Sequence, residues 1–243
     1  MGWNPFRTVP TLHVAEDVGD GPVVIFLHGI ASSSITWTHV VPLLREHFRC
    51  ISIDLLGFGG SPVPENAKYT LPEHVEAVAH TIAGLKLRQP FILVGHSMGA
   101  LIALRYAVKY PKRLRRLVMV SPPIYVDPSA LTTTRDRTVQ ELYLRAYRYL
   151  RENPEFTMRN GGVISEMLAI PRSMEITAKN WVPFVRSLEH TIESQTTISD
   201  LALVQDRVEI VYGDLDEFVS PGTTAPASCG RYSSTRWCPT PAA

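Results

Sequence analysis

The stretch Val94-Gly95-His96-Ser97-Met98-Gly99 decides the reading of this chain. It has the form Gly-x-Ser-x-Gly. It follows an apolar run, Phe91–Val94, and opens an Ala- and Leu-rich segment, Met98–Tyr110, stopped by Pro111. A turn that tight between strand and helix holds its serine in a strained backbone conformation, so the residues two places to either side must be small. Gly95 and Gly99 meet that condition, and Ala100 lets the helix pack closely. The turn is expected to lift the Ser97 hydroxyl above the sheet at a helix N-terminus, whose dipole favours developing negative charge. The Met98 N–H then points at an oxyanion.

Outward from this turn, apolar runs of strand length alternate with helix-periodic segments. Thr11–Ala15 reads as an edge strand, and Val23–His28, Arg49–Asp54, Leu114–Val120 and Val208–Tyr212 read as buried strands beside Phe91–Val94. Trp37–Phe48, Glu73–Leu87 and Met98–Tyr110 have helical spacing, with Pro72 near the first turn of the second. This alternation predicts an α/β fold with a mostly parallel sheet and helices on both faces. Between Pro122 and Asp206 it stops. Asp136–Arg151 and Trp181–Gln195 look helical, and no buried strand is evident, so residues 122–206 are expected to form a helical cap. Residues 1–121 and 207–220 are the expected core. Residues 221–243 are expected to be an irregular tail, since seventeen of these 23 are Pro, Gly, Ala, Ser or Thr.

Composition narrows the function classes. The chain has 243 residues, 45% hydrophobic and 19% charged, with 24 Lys+Arg against 23 Asp+Glu. That is enough apolar material for a core, and the near-zero balance argues against a polyanion such as nucleic acid. The basic run Lys112, Arg113, Arg115, Arg116 lacks interleaved aromatics and reads as a solvated loop. No apolar run is long enough for a membrane span, and Met1–Pro10 lacks a leader pattern. Three cysteines, two of them in the last 15 residues, make no disulfide framework, and a cytoplasmic setting is the expectation. Cys229 and Cys238 lack histidines at zinc spacing, Gly57–Gly60 is no phosphate cradle, and there is no nicotinamide fingerprint. No metal or cofactor is therefore expected.

Three further segments join the elbow. His28-Gly29-Ile30 closes a strand, and an oxyanion hole needs a second N–H from that loop; Ile30 is the natural donor, with Ala31 the alternative. His28 and His96 are read as structural. Asp54-Leu55-Leu56-Gly57-Phe58-Gly59-Gly60-Ser61 and Tyr212-Gly213-Asp214-Leu215-Asp216 complete the set. With these motifs the chain resembles the α/β-hydrolase superfamily from about Thr11 to Ser220. The resemblance implies an eight-stranded, mostly parallel sheet, a helical cap, and a triad in the order Ser, acid, His. Ser97 is the implied nucleophile and Asp216 the implied acid, with Asp214 as the alternative. Asp54 is implied to organise its loop.

One member of that triad is not found. The histidines stand at 13, 28, 39, 47, 74, 80, 96 and 190, and none follows Asp216. His190 reads as a cap histidine. The change of composition after Val219-Ser220-Pro221 is expected to mean that the last strand and helix are missing, through truncation, a shifted frame or an unrelated tail. Two functions follow. The first is a serine hydrolase acting on a small apolar ester or related acyl substrate, with C–C, lactone, amide and perhydrolase chemistry left open and a nucleophilic aspartate excluded by Ser97. The second is a catalytically incomplete or ligand-binding member of the same fold. The aromatics Tyr125, Tyr143, Tyr147, Phe156, Trp181 and Phe184 are expected to divide between cap packing and an acyl pocket. Oligomeric state is left open.

Overall fold

A computed structural model describes residues 8–124, 134–167, 176–194, 196–204, 208–213 and 233–237. Seven strands form one sheet: β1 (Val14–Val18), β2 (Val23–Leu27), β3 (Arg49–Ile53), β4 (Phe91–His96), β5 (Leu114–Val120), β6 (Val208–Gly213) and β7 (Ser233–Trp237). Their spatial order is β1-β3-β2-β4-β5-β6-β7. Only β1 runs antiparallel to its neighbour; every other pair is parallel. This is the mostly parallel α/β sheet expected from the apolar runs. The strands start within a few residues of the predicted limits, β1 being displaced to Val14–Val18.

Side-chain alternation along the strands builds two cores. Ile25 and Leu27 of β2, with Ile51 and Ile53 of β3, face one side and pack with α2 (Leu71–Gly84) and α3 (Met98–Lys109). Val24 and Phe26 face the other side with Trp37, Val41 and Cys50. On that second face Ile92, Val118 and Val120 are only half-buried. Helix α2 starts where a capping box sets it, the Thr70 hydroxyl accepting from Glu73 N–H and the Glu73 carboxylate accepting from Thr70 N–H.

The helix expected over Trp37–Phe48 is replaced by a 3₁₀ turn, Ser34–Trp37, and a four-residue helix α1, Val41–Leu44. Pro42 accounts for the break, because it lacks an N–H to donate back into a preceding turn, whereas in the first turn of a new helix that donor is not needed. Between β5 and β6 the described residues hold the two predicted helices and two more. These are α4 (Thr134–Glu152), α5 (Pro154–Met167), α6 (Trp181–Ser187), a π turn (Leu188–Glu193) that interrupts the predicted Trp181–Gln195 helix, and α7 (Thr197–Leu203). Pro154 stands at the first position of α5, where its missing N–H costs no helical hydrogen bond; this helix was not among the expected ones.

The tail departs from expectation in five residues. Ser233–Trp237 pairs in parallel with β6, so the irregular tail contributes a strand. Parallel pairing uses main-chain groups, which any residue but proline supplies. Arg231–Cys238 is the longest stretch of the tail free of Pro and Gly, and it holds Tyr232, Thr235 and Trp237, all good strand formers. The described residues contain no helix after this strand.

The helical segment between β5 and β6, the expected cap, shares the main core. Phe184, Leu188 and Ile192 are each 1% exposed and belong to the same apolar cluster as Leu27 and Leu101. Around them Thr191 Oγ1 donates to the Tyr69 carbonyl at 2.9 Å, and Arg186 donates to the carbonyls of Ala67 and Glu65. Arg105 on α3 pairs with Asp200 on α7 at 2.7 Å. Leu188→Ala is therefore expected to cost about 2–5 kcal/mol of stability. In urea unfolding followed by circular dichroism, cap and sheet should still unfold in one transition; a separate early cap transition would contradict the shared core.

Candidate active site

Ser97 follows β4 and precedes the first residue of α3 with φ 51° and ψ −120°, a backbone conformation strained for any residue but glycine. The strain is held by its surroundings. Ser97 N–H donates to the Val120 carbonyl of β5 at 3.0 Å, and its own carbonyl accepts from Ala100 N–H at 2.9 Å. A β-carbon on Gly95 would lie 2.3 Å from the Gly99 carbonyl oxygen, and one on Gly99 would lie 2.4 Å from the His28 carbonyl oxygen. Both contacts are backbone, so neither can give way. The small-residue requirement read from the motif is thus a contact between three main-chain segments.

The loop after β2 lies against the serine. A β-carbon on Gly29 would be 3.2 Å from Ser97 Cβ and 3.1 Å from His96 Nδ1. Ile30 follows, 7% exposed, and Ala31 takes φ 53°. Met98, fully buried, begins α3, where the first four N–H groups of a helix have no partner within it. The structure therefore brings Ser97, Met98 and the Gly29-Ile30 loop together at one edge of the sheet. Asp216 and its alternative Asp214 lie outside the described residues. The strand before them, β6, ends at Gly213 on the same edge, two strands from β4.

Two histidines that could have served as bases are committed elsewhere. His28 is fully buried, with Leu55 N–H donating to Nε2 at 2.8 Å and Nδ1 2.7 Å from the Gly29 carbonyl. Accepting at Nε2 requires the proton on Nδ1, which donates to Gly29. Burial lowers its pKa to about 4, against the smaller opposing pull of the Gly29 carbonyl and Asp54. His28 is thus a neutral brace between the loops after β2 and β3. His74, also fully buried, meets Ser187 Oγ at 3.1 Å through Nε2, and burial lowers its pKa to about 4. His96 stacks edge-on to Trp37, with ring centroids 6.5 Å apart. His190 is half-buried in the π turn.

Asp54 organises its loop. Its carboxylate accepts from Ser34 N–H at 2.7 Å and Gly60 N–H at 2.8 Å, and meets His13 Nδ1 at 2.9 Å. Burial pushes its pKa up, but these hydrogen bonds outweigh it and hold the carboxyl below the ordinary range. Of the cap aromatics, Tyr147 and Phe184 are buried in the main core, Trp181 packs on Phe184, and Phe156 is exposed beside Tyr149. Tyr125 lies outside the described residues. No cluster of three His, Cys, Asp or Glu suited to a metal occurs among the described residues, and no helix among them is long and apolar enough to cross a membrane.

With this geometry in place, comparison with known proteins identifies the class. The alpha/beta hydrolase fold family model matches residues 22–201, and the chain belongs to that family. BODYGUARD 1 of Arabidopsis thaliana, described as a probable lysophospholipase, is 36% identical over 117 residues, 46% of this chain and 25% of that protein. The chain spans about a quarter of the length of the curated relatives it matches. The haloalkane dehalogenase DbeA-M1 loop variant from Bradyrhizobium elkanii superposes with a TM-score of 0.69 at 20% identity, covering 94% of this chain and 88% of that one. Bacillus megaterium epoxide hydrolase gives 0.67 at 22% identity, covering 93% and 88%. These two likenesses show the fold.

The buried imidazoles set a pH dependence. A folded pKa of about 4 against an ordinary 6.5 means that the unfolded chain takes up protons in this window while the folded chain does not. Stability is therefore complete above about pH 6.5 and is lost as the pH falls toward 4, on the order of 1.4 kcal/mol per unit for each histidine. Urea unfolding at pH 7 to 4.5 should show this slope, and His74→Gln should reduce it by about half. A slope unchanged in His74→Gln would contradict the assignment.

Proposed function

We propose that the chain carries the machinery of a serine hydrolase acting on a carboxylic ester of a small or medium apolar acyl group. Ser97 Oγ attacks the ester carbonyl, the Met98 and Ile30 N–H groups hold the oxyanion, and the alcohol leaves. Water then releases the acid from the acyl-Ser97 intermediate. Asp216 is the proposed acid that would orient a base. The observation that carries this reading is Ser97 at φ 51° on the β4–α3 turn, with the Gly29-Ile30 loop against its side chain. The description of the Arabidopsis relative as a probable lysophospholipase supports an acyl ester as the substrate class. Residue 97 is an alcohol, so a carboxylate-nucleophile route has no counterpart here.

The second reading is a hydrolase scaffold without its base, and one observation favours it. Between Asp216 and Ala243 there is no histidine, while His28 and His74 are buried, neutral and hydrogen-bonded into the fold. A serine without a base is a poor nucleophile.

Hydrolysis of p-nitrophenyl butyrate by purified protein, beside Ser97→Ala, separates the two. Turnover that Ser97→Ala abolishes supports the hydrolase and requires a base still to be found. Equal background in both proteins supports the scaffold. A second, structural check is Gly95→Ala, expected to cost about 1–3 kcal/mol or more, because its methyl would meet the Gly99 backbone. Unchanged urea stability in that variant would overturn the close-contact account of the turn.

A further inference from the structure

At the end of the sheet opposite Ser97, a cleft of about 1360 Å³ opens between the strand starts and the C-terminal ends of α3 and α7. It lies across β4 from the serine, roughly 20 Å away for six residues of strand. Its lining combines two chemistries. Apolar surface comes from Leu203, 71% exposed, and from the half-buried Val23, Val108 and Val204, above a floor of Leu87, Leu114 and Leu117 that is almost wholly buried. Cationic surface comes from Lys86, Arg88, Lys112 and Arg115, all exposed, and from Arg49, which is already held by Asp17 in two hydrogen bonds. Among the described residues, no acidic one lines the cleft.

The basic run of the sequence divides here. Arg116 pairs with Glu209, and Arg113 lies over the Phe91 ring. Lys112 and Arg115 line the cleft and form no ion pair with the described residues; the same holds for Lys86 and Arg88. The fold thus brings two cations from the segment before β4 to two from the segment opening β5. Four exposed cations on one cleft, without an acidic partner among the described residues, raise the local positive potential and favour an anion there. An apolar floor favours an anion that carries a hydrocarbon chain.

We propose that this cleft binds one molecule of a single-chain amphiphile with a phosphate monoester head, the chain on Leu203 and Leu87 and the phosphate among Lys86, Arg88, Lys112 and Arg115. The site is separate from Ser97 and does not depend on the hydrolase reading.

The test is titration calorimetry of the full chain with dodecyl phosphate below its micelle concentration. One saturable site is expected. Lys112→Gln/Arg115→Gln should weaken it at least about tenfold, as loss of two charge-assisted contacts would. Leu203→Asp should weaken it comparably, while Ser97→Ala should leave it unchanged. Inorganic phosphate and dodecyl maltoside, each carrying half of the ligand, should bind far more weakly. The proposal is overturned by absence of saturation, by equal affinity for dodecyl maltoside or inorganic phosphate, or by sensitivity to Ser97→Ala in place of the cleft variants. Capture on phosphatidic acid vesicles without binding of the monomer would also overturn it. Circular dichroism confirms that each surface variant is folded.

Discussion

The first turn of α3 lies against the ends of β2 and β4 with no room for a single β-carbon at Gly95 or Gly99. The rest of the site depends on that approach. It holds Ser97 in its strained conformation, aligns the Met98 N–H with the sheet edge, and brings the loop after β2 against the serine side chain. Strain of this kind persists only where the surroundings over-determine it. Here they do so with main-chain contacts and with the Ser97 N–H to Val120 hydrogen bond. The catalytic-looking geometry is thus a consequence of how a helix is packed on a sheet.

Around that approach, buried polar groups fix the neighbouring loops. His28 accepts from Leu55 and donates to Gly29, which joins the loop after β2 to the loop after β3. Asp54 gathers Ser34, Gly60 and His13 onto one carboxylate. Each is a buried group whose hydrogen bonds offset its desolvation. Their cost appears as acid sensitivity, and their effect is that the Gly29-Ile30 loop has one position available to it.

Much of this was legible in the sequence. The buried strands are continuous apolar runs, and such runs report parallel strands directly. The elbow is local, so its small residues are visible in five letters. What is local but ambiguous was misread: Trp37–Phe48 has helical spacing, and Pro42 outweighs it. The Ser233–Trp237 strand escaped because main-chain pairing leaves no apolar pattern to find. The neutrality of His28 was not legible either, since its two partners are set by how the loops fold back. The division of the basic run into two structural arginines and two cleft cations likewise exists only once β4 and β5 lie side by side.

The seam between cap and core joins residues far apart along the chain. His74 meets Ser187 across 113 positions, Ala67 meets Arg186 across 119, and Tyr69 meets Thr191 across 122. Such long loops carry a large closure entropy, and so do the parallel pairings of the sheet itself, such as Val24 with Ile92 and Leu117 with Val208. In this molecule the strands and the helices that cover them are therefore tied by contacts of similar reach, so the high contact order of the fold, and the slow assembly that goes with it, belongs to both.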